Sequence, residues 1–330
     1  MNMEKENKSL NSKRSFFRRI FAFREASILL IIFLLIILMI FFVPGFMTAS
    51  NITTTLIGLS MDAILAIGMT VVLVLGGIDL SVGAIMAFSS VVAGTLMIKG
   101  MNAWLACLIA ILLSAAAGCF VGELITKIGL FPFITTLAMM QISRGLAYIL
   151  TQGSPISTGS ISKSFEAIGQ GSILGIPNPV LILLVLVIIF DYLLRNSLKF
   201  RQVYYTGSNE KAAKLSGINT DKVKLYVYIL SATLAGLAGI ITLSRFNVAT
   251  PTAGNGAETR AIAGAVIGGA SFTGGQGTVF GALLGIILVG LVNNALVLLN
   301  VSVYWQSLVS GVVLLLAVVA DVYAHLRGKN

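Results

Sequence analysis

The sequence predicts an all-α, polytopic integral membrane protein with about ten transmembrane helices and a possible internal repeat. Hydrophobic residues make up 57% of the 330-residue chain and charged residues only 10%, whereas soluble domains carry about 25% charged residues. Long apolar stretches recur along the chain, and about 20 apolar residues suffice to cross a bilayer. Most lysines and arginines fall in three clusters, one near each end of the chain and one in a central loop.

Ten apolar stretches are the candidate spans, and polar or glycine-rich segments separate them. They cover Ala26–Val43, Ile52–Leu75, Ala84–Ile98, Ala103–Ile125, Phe133–Leu150, Pro179–Leu194, Val223–Leu243, Thr259–Gly269, Val279–Leu299 and Val303–Val322. Thr259–Gly269 is less apolar than the others, which leaves open whether it crosses the bilayer or re-enters it. The predicted organisation is a cytoplasmic tail over residues 1–25, a transmembrane domain over 26–324 and a second cytoplasmic tail over 325–330.

The placement of the basic residues predicts the orientation of the chain. Positively charged loops and tails stay in the cytoplasm, so both termini and the Arg195–Lys224 region are expected on that side. This arrangement requires an even number of spans, and ten spans with six before Arg195 satisfy it. Nucleic-acid binding is the rival explanation of basic charge. It is not predicted, because the clusters adjoin spans instead of forming a folded basic domain.

Residues suited to catalysis or metal binding are scarce in this sequence. Cys107 and Cys119 fall on one predicted span, where twelve helical residues separate them by about 18 Å, too far for a disulfide. The single histidine, His325, lies in the C-terminal tail. The sequence has no Gly-x-x-x-x-Gly-Lys-Ser/Thr motif, so no ATP site of its own is expected. No catalytic residue and no metal site are therefore predicted, and the chain is not expected to be an enzyme.

The polar loop Lys199–Asp221 lies between two predicted spans and is expected to contain a short surface helix. Ala212, Leu215 and Ile218 fall at helical spacing, and Gly217 stands where a helix end commonly needs a left-handed residue. The small Ala212 and its neighbour Ala213 would let the groove of a partner approach closely. Two interpretations remain open: a docking surface for a partner, or a basic loop held in the cytoplasm by its charge.

A second motif, Gly76–Gly83, reads GGIDLSVG and interrupts the apolar pattern. Gly76 and Gly77 free the backbone, Asp79 supplies a charge, and Ser81 can cap the helix that follows. Irregular backbone at membrane depth is tolerated only where it lines a cavity or reaches water. A role in the transport path and a tight turn capped by Asp79 are both consistent with this motif.

The Gly76–Gly83 motif has a faint counterpart later in the chain, where Ile267 begins the sequence IGGASFT. Transporters built from duplicated halves carry broken helices at corresponding positions. Polar residues inside predicted spans are candidate functional groups, with interhelical hydrogen bonds or an Arg144–carboxylate pair as the alternative. These residues are Asp62, Glu123, Gln141, Arg144, Asn293 and Asn294. The candidate substrate-path residues are Gly76, Gly77, Asp79, Ser81, Asn293 and Asn294.

The order Gly207, Asn209, Ala212-Ala213 and Gly217-Ile218-Asn219, together with GGIDLSVG, resembles the ribose-type (simple sugar) permeases of ABC importers. The resemblance implies a permease subunit that translocates a neutral, ribose-like sugar across the bacterial plasma membrane. It implies as partners an ATP-binding subunit, an extracytoplasmic sugar-binding protein and a second permease copy, all within membrane lipid. ATP and Mg would be used by the partner ATPase, with no cofactor in this chain. The implied ATPase-coupling residues are Gly207, Asn209, Glu210, Ala212, Ala213, Gly217 and Ile218.

The sequence departs from the family pattern at two positions. Lys211 stands where the wider importer pattern has Glu, and Arg260 stands where the family has Asp. Because Glu258 is two residues from Arg260, those two side chains are expected to pair with each other.

Two other functions remain as alternatives. An ion-coupled secondary carrier would work without an ATPase and would use Asp62, Asp79 or Glu123 as its proton site. An intramembrane enzyme would need a catalytic constellation that the sequence does not show. Pentoses, hexoses and sugar-like signalling molecules are all handled by similar-looking permeases, so the sequence does not name the sugar.

Overall fold

The computed structural model describes residues 24–159 and 162–327, and that part of the chain folds into thirteen α-helices and two small pairs of strands. The predicted tails lie mostly outside the described residues. The helices are α1 Arg24–Phe42, α2 Ala49–Val74, α3 Val82–Ile98, α4 Ala103–Glu123, α5 Pro132–Thr151, α6 Lys163–Gln170, α7 Asn178–Asn196, α8 Leu198–Ser208, α9 Glu210–Leu215, α10 Thr220–Phe246, α11 Ala257–Ile267, α12 Val279–Leu298 and α13 Val303–Arg327.

Short irregular elements complete the fold outside these helices. A π-helical turn, Leu124–Ile128, extends α4. The strand pairs are antiparallel: β1 (Ile156–Ser157) pairs with β4 (Val248–Ala249), and β2 (Ser172–Ile173) pairs with β3 (Ile176–Pro177). The pairing of β1 with β4 joins the segment that follows α5 to the segment that follows α10.

All ten predicted spans fold as helices, and the prediction of an all-α polytopic membrane protein is confirmed. Seven helices of the described chain are long and apolar enough to cross a membrane: α1, α2, α4 with its π-helical turn, α5, α7, α10 and α12. Helix α3 is apolar but has 17 residues, and α13 has an apolar stretch at Tyr304–Leu316.

Helices α2 and α10 form the centre of the bundle. Most residues of both helices are buried, including Ile64, Leu73, Tyr228 and Ile241. The outer helices instead expose large apolar side chains, as a lipid-facing surface requires. Gly118 of α4 lets that helix approach α10 closely, since a Cβ there would overlap the backbone of Tyr228. This close packing fixes the position of α10 against α4.

Helix α11 is too short to cross a bilayer alone. Its 11 residues rise about 17 Å, roughly half of the hydrocarbon thickness. The chain before it leads from the end of α10, and Gly254 in that segment packs against Gly83 at the start of α3. The chain after it, Gly268–Thr278, reaches the end of α2, where Gly275 N–H donates to Val74 O (2.8 Å). Helix α11 therefore has irregular backbone on both sides.

Two breaks in helical structure lie next to each other: Leu75–Ser81 after α2 and Gly268–Thr278 after α11. The second residue of each break is a glycine with left-handed backbone, Gly76 with φ +84° and Gly269 with φ +102°. The two breaks also share a hydrogen bond at equivalent positions of the predicted repeat. Ser81 N–H donates to the Asp79 carboxylate (3.0 Å), and Thr273 N–H donates to the Ser271 hydroxyl (3.2 Å).

Candidate functional site

Helix α9 is the short surface helix that the sequence predicts. Asn209 caps its start by accepting a hydrogen bond from Ala212 N–H (3.0 Å). Gly217 follows its end with φ +82°, a conformation that disfavours a Cβ. Ile218 N–H then donates to Ala213 O (3.1 Å), which closes the last turn. The predicted short helix and its left-handed glycine at Gly217 are confirmed, and the cap at Asn209 is an addition from the structure.

The outward face of α9 is small, apolar and basic. Leu215 is 91% exposed, and Lys211 and Ala212 are also exposed. Ala213 is buried against its own chain, with only 4% exposure. The expectation that Ala212 and Ala213 both face a partner is therefore wrong for Ala213. Consecutive residues of a helix point about 100° apart, so one of the two must turn inward.

Glu210 fastens α9 to the first turns of α10. Its Oε1 accepts hydrogen bonds from Lys224 Nζ (2.7 Å) and Thr220 Oγ1 (3.3 Å), and it lies 3.0 Å from Lys214 Nζ. The hydrogen bond from Lys224, with that from Lys214, lowers the pKa of Glu210 from 4.5 to about 2. A carboxylate with a lowered pKa stabilises the folded state above its ordinary pKa. This contribution is therefore present at neutral pH and is lost as the pH falls from about 4.5 towards 2.

The end of α8 packs directly against both breaks. A Cβ at Gly207 would overlap the carbonyl oxygen of Val74, the last residue of α2. On the other side, a Cβ at Gly274 would lie 2.6 Å from Gly207 O. The hydroxyl of Tyr204, also on α8, donates to Gly277 O (2.6 Å). The end of α8 is therefore in direct contact with the end of α2 and with the second break.

Asp79 is a buried anchor of the first break. It is 2% exposed, and it accepts hydrogen bonds from the N–H and the hydroxyl of Ser81 and from Ser231 Oγ of α10 (2.7 Å). The expectation that Ser81 caps α3 is wrong, because its hydroxyl donates to Asp79 and makes no capping bond. This geometry supports the interpretation of Asp79 as the cap of a tight turn.

A second buried acid, Asp321 of α13, holds the other break. Its Oδ2 accepts hydrogen bonds from Ser271 Oγ (3.1 Å) and Phe272 N–H (3.3 Å). Sequence reasoning missed Asp321. The available signal was a lone acidic residue inside the apolar run of the last span, which is uncommon without a partner.

A polar cleft of about 620 Å³ opens between α2, α11, α12 and α13. Asp62 of α2, Arg260 of α11 and the adjacent Asn293 and Asn294 of α12 lie on its wall, together with Gln306 of α13. Ligand pockets for small molecules occupy about 300–1,000 Å³, so the cleft is large enough for a monosaccharide. Amide groups can both donate and accept hydrogen bonds, which suits a hydroxyl-rich solute.

A bidentate ion pair crosses the middle of the bundle beside this cleft. Arg260 Nε lies 2.8 Å from Asp62 Oδ2, and Arg260 donates to Asp62 Oδ1 from Nη2 (3.0 Å). The predicted Glu258–Arg260 pair is therefore wrong. Asp62 and Arg260 also bound a second cavity of about 400 Å³ that reaches Met86 of α3, so the pair forms a partition between the two cavities.

A family model described as "Branched-chain amino acid transport system / permease component" matches residues 51–318. This chain belongs to that permease family. The ribose import permease of Escherichia coli strain K12 is 43% identical over 280 residues, which cover 84% of this permease and 87% of that protein.

Other relatives are similar over the same region. The ribose import permease of Bacillus subtilis strain 168 is 41% identical, over 84% of this permease and 86% of that protein. The D-allose transport system permease of Escherichia coli strain K12 is 38% identical, over 84% of each chain. No solved structure matches. The predicted resemblance to ribose-type permeases is confirmed.

The permease brings only some of its predicted path residues together. Asn293 and Asn294 both line the cleft, and Asn294 donates to Asn51 Oδ1 (2.8 Å) and Thr55 Oγ1 (3.0 Å). The other four predicted path residues lie in the first break, next to the end of α8, and do not line that cleft. They are Gly76, Gly77, Asp79 and Ser81.

The remaining polar candidates of the permease have structural partners or face outward. Arg144 donates to the backbone carbonyls of Pro251 (2.6 Å) and Ala253 (2.7 Å), so the alternative of an Arg144–carboxylate pair is wrong. These two hydrogen bonds fix the segment that leads from α10 to α11. Glu123 pairs with Lys127 at the end of α4 (3.0 Å), and Gln141 is exposed on α5.

Proposed function

We propose that this permease is the membrane subunit of an ATP-driven importer that moves a neutral monosaccharide, ribose-like or closely related, into the cytoplasm. The observation that carries the proposal is the exposed apolar face of α9, which is joined through α8 to both helix breaks. Leu215 is 91% exposed on this face and Ala212 is exposed beside it, so a docked subunit would have a small apolar surface to cover. The relatives named as ribose and allose permeases support a sugar as substrate, and the family match favours an importer over an ion-coupled carrier.

The residues that line the polar cleft suit a neutral substrate. Asp62 and Arg260 cancel each other's charge, while Asn293, Asn294 and Gln306 offer amide groups for sugar hydroxyls. We assign sugar contact to the amide residues. The first break, with Asp79 and its partners, would act indirectly by setting the position of α3 relative to α2.

The proposed assembly contains parts that this chain lacks. An ATP-binding subunit would dock on α9 and would bind ATP and Mg, so no cofactor is assigned to this chain. A sugar-binding protein would deliver the substrate to the external loops, and a second permease copy would complete the path within the lipid of the bacterial plasma membrane. Both termini and α9 would face the cytoplasm, in line with the basic clusters.

A cysteine in place of Leu215 tests docking and orientation together. In a Cys119→Ser background, Leu215→Cys should react with a membrane-impermeant maleimide in inside-out vesicles and not in intact cells. The ATP-binding subunit should slow this reaction by about tenfold or more, because a docked interface excludes the reagent. Labelling is measured by the mass shift of the purified permease.

The matched control is Leu174→Cys, which lies in the β2–β3 turn and is 97% exposed. It should react only from outside and should be insensitive to the ATP-binding subunit. Reaction of Leu215→Cys from outside would contradict the orientation. An unchanged rate in the presence of the bound subunit would contradict docking on α9.

A further inference from the structure

A groove of about 660 Å³ lies between α8 and α10, on a side of the chain that the cleft and the helix breaks do not reach. Lys199 of α8 and Lys222 of α10 stand at its polar end, beside Asn219. Along α10, Lys222, Tyr226 and Leu230 recur every fourth residue, so they form one stripe on a single helix face. The stripe runs from charged to aromatic to aliphatic over about 12 Å.

The charge in this groove is unbalanced. Within the described part of the chain, both charged residues that line it are lysines, and neither makes an ion pair. Two nearby lysines, Lys214 and Lys224, differ in that both pair with Glu210. Lys199 and Lys222 therefore present free positive charge to whatever occupies the groove, which favours a phosphate or another anion.

The apolar part of the groove lies along a membrane span. Helix α10 is one of the helices long and apolar enough to cross a bilayer, and Tyr226 is 64% exposed on it. Phe200 of α8 and Leu230 of α10 continue the apolar wall. A water-soluble subunit cannot follow this wall into hydrocarbon, whereas the acyl chain of a lipid can.

We propose that the groove binds an anionic phospholipid of the cytoplasmic leaflet. The phosphate would lie between Lys199 and Lys222, and an acyl chain would pack along Phe200, Tyr226 and Leu230. Juxtamembrane lysines attract anionic headgroups at this level of the bilayer. Because Gly217 also lines the groove, the bound lipid would support the end of α9 and thereby the surface that we assign to ATPase docking.

The test compares the full-length permease and two doubly substituted variants for retained phospholipid after purification. Each is extracted from membranes, exchanged into mixed phosphatidylglycerol and phosphatidylcholine, and analysed by native mass spectrometry. Lys199→Gln with Lys222→Gln should reduce bound phosphatidylglycerol by about tenfold or more, since each lysine near the surface contributes appreciably to anionic-lipid binding. Phosphatidylcholine binding should not change.

The matched control is Arg201→Gln with Lys211→Gln. Both residues are exposed on the same segment, and neither lines the groove, so this variant loses the same charge without losing the site. It should keep phosphatidylglycerol as the unsubstituted permease does. Equal losses in both variants, or equal retention in all three proteins, would overturn the proposal. Competition by inorganic phosphate alone at millimolar concentration would also overturn it, as would protection of Lys222→Cys by the ATP-binding subunit but not by phosphatidylglycerol.

Discussion

Gly207→Ala should abolish most ATP-coupled uptake while leaving the protein in the membrane. The new Cβ would overlap the Val74 carbonyl oxygen and would lie 3.0 Å from Gly275 N. Both are backbone atoms, so no side chain can rotate away, and α8 must separate from the end of α2. Uptake should fall by about tenfold or more, since a shift of roughly 1.4 kcal/mol in the coupling equilibrium already changes it tenfold.

The measurement is sugar uptake and ATP hydrolysis in vesicles that contain the permease and its ATP-binding subunit. Hydrolysis should persist without transport, because docking on α9 does not involve Gly207. Gly145→Ala is the control, since Gly145 lies within α5 with open space around it and alanine is the better helix former. Normal uptake by Gly207→Ala would show that α8 does not transmit movement to the breaks.

Asp62→Asn should destabilise the permease more than the simultaneous loss of both charges. Asp62 and Arg260 have side-chain exposures of 22% and 30%, so the pair is largely removed from water. Removing one partner of a buried pair leaves an uncompensated charge and costs about 3–5 kcal/mol, whereas replacing both can be nearly neutral. Because both side chains also line the cleft, the pair is only partly buried. We therefore expect a destabilisation of about 3 kcal/mol, at the lower end of that range.

The measurement is a double-mutant cycle of thermal unfolding in detergent with Asp62→Asn, Arg260→Gln and the double variant. The double variant should recover much of the stability that either single variant loses. Sugar uptake should follow the same order, because the pair separates the two cavities. Additive losses would contradict an energetic link between Asp62 and Arg260.

Local sequence patterns predicted the spans and the Gly217 cap well. Each of the ten predicted spans coincides with a helix of the structure, and the cap at Gly217 followed from the backbone requirement of a helix end. These features depend on neighbouring residues, so a single sequence contains the information. The cap at Asn209 was not predicted. The sequence left open whether Thr259–Gly269 crosses the bilayer, because its weak hydrophobicity fits both a span and a re-entrant segment.

Long-range partners could not be predicted in the same way. A charged group inside a membrane must find a partner, but the sequence does not say which one. Arg260 therefore looked closest to Glu258, although its partner Asp62 lies 198 residues away. The Arg144 guanidinium donates to backbone carbonyls. Because every residue has a backbone carbonyl, the sequence does not indicate which ones Arg144 contacts. The need for glycine at position 207 could not be predicted from the sequence either. It follows from the close packing of α8 on Val74, which leaves no room for a side chain.

The energy source of transport tests the central proposal most directly. Proteoliposomes would contain the permease and its ATP-binding subunit, with the sugar-binding protein and labelled ribose on the opposite side from ATP. The account predicts ribose uptake that requires ATP and Mg, requires the binding protein, and is absent when a proton gradient is imposed without ATP. Uptake driven by the proton gradient in vesicles that contain the permease alone would contradict it.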